Sequence, residues 1–79
     1  MIKILFISEN DIHIDKFKNI FDKNLYDFNC LTDGSLLIDT INANIPDIIF
    51  LDTEIKNIKD INKTIKQKKL QTTNIKTME

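Results

Sequence analysis

The sequence predicts a single α/β domain built as a doubly wound parallel sheet, and three observations carry that prediction. Two short apolar runs, Ile2 to Ile7 (IKILFI) and Ile48 to Leu51 inside IPDIIFLDTE, have the length and bulk of strands buried on both faces. Segments with a helical repeat of apolar residues separate the strand-like ones. The resulting order is β-α-β-α-β-α, and units this short call for parallel strands joined by right-handed crossovers. With 79 residues there is room for one small domain, and an apolar content of 42% is that of a globular rather than a disordered chain.

The elements follow in order. After the first strand, the polar cluster Ser8, Glu9, Asn10 and Asp11 caps a helix whose apolar positions Ile14, Phe17, Ile20 and Phe21 share one stripe. That helix is expected to run to about Lys23, with Asn24 ending it. Tyr26, Phe28 and Cys30 alternate with Asp27 and Asn29, the period of a strand with one wetter face, which suits an edge position. Thr32, Asp33, Gly34 and Ser35 form a turn and a cap, and the only glycine sits where positive φ is most often needed. A short second helix follows from Ser35 through Leu36, Leu37, Ile38 and Ile41 to near Asn44. Pro46 and Asp47 punctuate the start of the third strand. Thr53 to Asn57 is loop, and Ile58, Ile61 and Ile65 mark a third helix to about Lys69. Gln71 to Asn74 is a polar connector, and Ile75 to Glu79 opens one more strand.

In a short doubly wound sheet the strands pair 2-1-3, so the ends of strands one and three face one crevice. Asp52, at the end of strand three, is the candidate working residue, and Glu9 leaves strand one beside it. Read from spacing alone, Asp52 is a strand-terminal residue that caps the following turn, while Glu9 and Asp11 cap the first helix and complement its dipole. His13, the only histidine, has no companion acid pattern and is expected at the surface. Cys30 has no partner for a disulfide or a metal and is expected to be a small buried hydrophobe in a reducing compartment.

Residues 1–54 hold ten acids and four lysines, whereas residues 55–79 hold seven lysines and two acids. Lys59, Lys63 and Lys66 recur at helical spacing and read as a solvated helix face, so no nucleic-acid partner is expected. No apolar stretch is long enough to span a membrane or to serve as a signal segment, which places the chain in the cytoplasm.

KILFISEN, PDIIFLD and TDG followed by Ser35 together resemble the receiver domain of two-component response regulators over essentially the whole chain. LQTTNI is similar to the corresponding connector of PleD-type regulators. The resemblance implies a flavodoxin-like fold in which Asp52 accepts a phosphoryl group from the phosphohistidine of a histidine kinase or phosphotransfer protein. It also implies Mg²⁺ held by Glu9, Asp52 and the backbone carbonyl of Glu54.

The chain departs from the family pattern at several places. Ser8 stands where the family has its first acid, which weakens the metal site, and TEIKNIKD after Asp52 lacks the family's glycine and proline. By the register of the resemblance the sequence is expected to end before or within the fourth strand, short of the family's switch residue and terminal lysine, with Thr77 too early to be that switch. Without further strands, strand three is expected to be an exposed edge prone to self-association. Three readings follow: a phosphoacceptor of impaired activity, a phosphorylation-independent pseudo-receiver acting as a dimerisation or docking module, and a haloacid-dehalogenase-type phosphatase. The last places its nucleophile on a first strand and wants a second Asp where this chain has Glu54.

Overall fold

The computed structural model describes residues 1–32, 35–68 and 70, and residues 72–75 as backbone. Its elements are β1 (Ile2–Ile7), α1 (Asp11–Lys18), β2 (Tyr26–Leu31), α2 (Leu37–Ala43), β3 (Ile48–Asp52), α3 (Ile58–Gln67) and a short β4 (Thr72–Ile75). All strand pairs are parallel, in the order β2-β1-β3, and β4 continues the sheet beside β3.

The period of two along the strands sorts the core into two layers. Leu5 and Ile7 of β1 and Ile49 and Leu51 of β3 face Leu37, Ile41, Ile61 and Ile65 of α2 and α3. The other face carries an aromatic cluster beneath α1: Phe6 and Phe17 stack with ring centroids 4.4 Å apart, and Phe50 meets Phe17 edge-on at 4.9 Å. Phe21 and Phe28 stack at its margin. Phe6 pairs with Phe50 across β1 and β3, so the next positions of the same parity, Ser8 and Asp52, belong to the α1 face as well.

Local chemistry explains where several elements end. Helix α1 stops at Lys18 rather than near Lys23, and Ile20 is exposed instead of joining the core. Asp22 takes over the chain there: its carboxylate accepts the Asn24 N–H at 2.8 Å, and its carbonyl accepts those of Leu25 and Tyr26. This local turn competes with further helical bonds. Cys30 is exposed, not buried, because β2 is the outer strand of the sheet. Asp47 fixes the start of β3 against β1, with its carboxylate accepting the Lys3 N–H at 2.7 Å and its own N–H donating to the Lys3 carbonyl.

At the far side of the sheet, the expected polar connector is corrected at Thr72 to Asn74, while Gln71 lies outside the described residues. Thr72 to Ile75 pair with Ile49 to Asp52, so β3 is not the exposed edge on which self-association was argued. The expected turn geometry at Gly34 and the expected strand residues after Ile75 lie outside the described residues. Among the described residues, no helix is long and apolar enough to cross a membrane.

Two substitutions test this packing. Phe17→Ala should cost about 3–5 kcal/mol, as expected for deleting a buried ring, read as a lower urea midpoint. Asn57, the N-cap of α3, has φ 60 in the left-handed region. Asn57→Val should therefore lose about 1–2 kcal/mol, whereas Asn57→Gly should keep or raise the midpoint.

Candidate functional site

The parallel order 2-1-3 brings the ends of β1 and β3 together, and α1 begins directly above them. Asn10 starts that helix. Its side-chain oxygen accepts the N–H groups of Ile12 at 2.9 Å and His13 at 3.2 Å, satisfying two of the free donors at the helix start. Capping therefore falls to Asn10 rather than to Glu9 or Asp11, although Asp11 does lie in the first turn.

His13 sits one residue before Ile14 and four before Phe17, on the inward stripe of α1. It is 5% exposed, which corrects the expectation of a surface histidine. Its Nδ1 lies 2.8 Å from Oδ2 of Asp52. Ser8 is fully buried, and its hydroxyl donates to the same Oδ2 at 2.8 Å while accepting the Asn10 N–H at 3.1 Å. Asp52, only 2% exposed, uses Oδ1 to accept the Glu54 N–H at 3.0 Å. The Asp52 carbonyl accepts the Ile55 N–H, closing a turn.

These contacts decide the charge state. Burial favours the protonated acid, but the hydrogen bond from Glu54 and those from His13 and Ser8 outweigh it, together with the charge interaction with His13. The Asp52 carboxyl is held below its ordinary value of 3.8. An ionised carboxylate can only accept, so Nδ1 of His13 carries the proton of the shared bond.

Glu9 and Asp52 line one open cleft of about 530 Å³, together with Asp11, Glu54, Ile12 and Ile55. Oε1 of Glu9 accepts the Lys56 N–H at 2.8 Å, tying the end of β1 to the loop after β3. Glu54 contributes a backbone N–H to Asp52, and its side chain is exposed. Among the described residues, no group of three or more His, Cys, Asp or Glu side chains is placed to hold a metal ion.

The residue missed from the sequence is His13. The signal was its position four residues before Phe17, which places it on the buried stripe rather than the polar face. No protein-family model matches the chain, and no curated protein matches it.

Removing the carboxylate charge tests the cluster. Asp52→Asn should lose about 3 kcal/mol, because His13 and Ser8 are left facing a poorer acceptor in a buried place. A depressed native value also means that Asp52 stabilises the fold above pH 3.8, with this contribution falling away as pH drops through the native value. Urea midpoints against pH should thus show an acid limb that is shallower in Asp52→Asn; identical limbs would contradict the assignment.

Proposed function

We propose that the chain is a receiver-like module of the flavodoxin-like type in which Asp52 is a structural anchor, and that it works by docking without phosphorylation. The observation that carries this reading is the state of Asp52: almost fully buried, with both carboxylate oxygens accepting hydrogen bonds from the protein's own groups. An attacking carboxylate oxygen needs a free lone pair aligned with phosphorus and a path for the donor; Oδ2 has both lone pairs taken by Ser8 and His13, and burial closes the approach to Oδ1. The Mg²⁺ set implied by the resemblance fits this arrangement poorly, because Ser8 and His13 take both lone pairs of Asp52 Oδ2, Ser8 brings no charge of its own, and one oxygen of Glu9 is engaged with Lys56. Exposed apolar side chains support a docking role: Ile2 and Leu25 are joined by a backbone hydrogen bond at the end of the sheet opposite Asp52, and Leu36 and Ile38 flank the start of α2.

A second reading, the phosphoacceptor, is favoured by the acidic cleft that opens beside Asp52. In it, an Asp52 oxygen would bond to phosphorus as the phosphorus–nitrogen bond of a partner's phosphohistidine breaks and the imidazole leaves with the electron pair.

Acetyl phosphate or beryllium fluoride with Mg²⁺ separates the two. The docking reading expects no phosphoryl adduct by intact mass and unchanged Asp52 resonances, with dimers or partner complexes in light scattering. An adduct on Asp52 would favour the phosphoacceptor, and a strictly monomeric chain with no bound partner would end the docking reading.

A further inference from the structure

We propose that the His13 imidazole and the Ser8 hydroxyl stand in for a divalent cation at Asp52, so that the segments such an ion would join are joined by the protein alone. The three donors to Asp52 come from three places: the end of β1 through Ser8, the first turn of α1 through His13, and the turn after β3 through the Glu54 N–H. A cation shared by Glu9, Asp52 and the Glu54 carbonyl would link the end of β1 to the loop after β3. Here that link is supplied by the Ser8 and Glu54 bonds to Asp52 and by the Lys56 N–H to Glu9.

The imidazole is not placed by chance. Asn10 holds the His13 backbone N–H through its side chain and donates its own N–H to Ser8. The result is a closed circuit, Asp52 to Ser8 to Asn10 to His13 and back to Asp52. A buried carboxylate must be met by donors or by a cation, and every group around this one is supplied by the fold. His13 is in this sense a positioning residue: it holds Asp52 in one orientation and, with Ser8, takes both lone pairs of Oδ2. This deepens the receiver-like reading, because the cation replaced is the one the resemblance implies. Mg²⁺ binding is nevertheless read without phosphoryl transfer or docking, so the two can fail separately.

The experiment is a Mg²⁺ titration of isotope-labelled full chain at constant ionic strength, following the Asp52 and Glu54 amide resonances and the thermal midpoint. Wild type should show no saturable shift at millimolar Mg²⁺. His13→Ala should be less stable, and should gain both a saturable shift and a Mg²⁺-dependent rise in midpoint, with binding at least roughly tenfold tighter than wild type. His13→Gln, which returns a side-chain N–H to the same place, should lie between the two. Should His13→Ala be unfolded without metal, recovery of the folded spectrum on adding Mg²⁺ supports the proposal. Wild type binding Mg²⁺ as tightly as His13→Ala would overturn it, as would a folded His13→Ala with no Mg²⁺ response, or an unfolded His13→Ala that Mg²⁺ fails to restore.

Discussion

A carboxylate taken out of water has to be met by donors, and in this chain one buried carboxylate decides how three segments come together. Asp52 ends β3 on the face that α1 covers, because it shares the parity of Phe50. Ser8 follows β1 directly and falls on the same face, two residues beyond Phe6. The strand order therefore delivers a hydroxyl next to an acid, and α1 lowers an imidazole onto both. Each bond alone contributes on the order of a kcal/mol, but leaving any of these groups unpaired inside the protein costs more. The circuit through Asn10 makes the helix start, the strand end and the turn after β3 depend on one another.

The aromatic cluster and this polar circuit are two halves of one layer. Phe17 stacks on Phe6 and meets Phe50 edge-on, which fixes the rotation of α1 about its axis. With that rotation set, the residue one turn earlier, His13, points at the end of β3. Apolar packing aims the helix, and hydrogen bonding locks its first turn. The other face of the sheet, where the aliphatic stripes of α2 and α3 cover Leu5, Ile7, Ile49 and Leu51, carries no comparable buried polar cluster among the described residues.

Much of this was legible in the chain. The apolar runs of β1 and β3, the alternation of β2 and the isoleucine stripe of α3 announced the parallel sheet and its order, since period and length are local properties. The meeting of the β1 and β3 ends followed from that order alone. What escaped were features set by competition between local and tertiary bonds. Asp22 turned the chain before α1 could reach Lys23, and polar Thr72 to Asn74 joined the sheet through backbone pairing that side-chain hydrophobicity does not report. His13 read as a surface residue because it stands early on the first helix without a companion acid pattern. A buried histidine is legible only once its acceptor is known to lie opposite, and that acceptor is 39 residues away in sequence.

The imidazole of His13 reports on this arrangement most directly. Long-range proton–nitrogen spectra of the ring at neutral pH, with hydrogen exchange followed on the same atoms, locate its proton and measure how well it is shielded from water. A proton resident on Nδ1, slow to exchange and lost as a slow signal in Asp52→Asn, is the predicted result. A ring whose Nδ1 is unprotonated, or whose protons exchange as freely as those of an exposed histidine, would contradict the account.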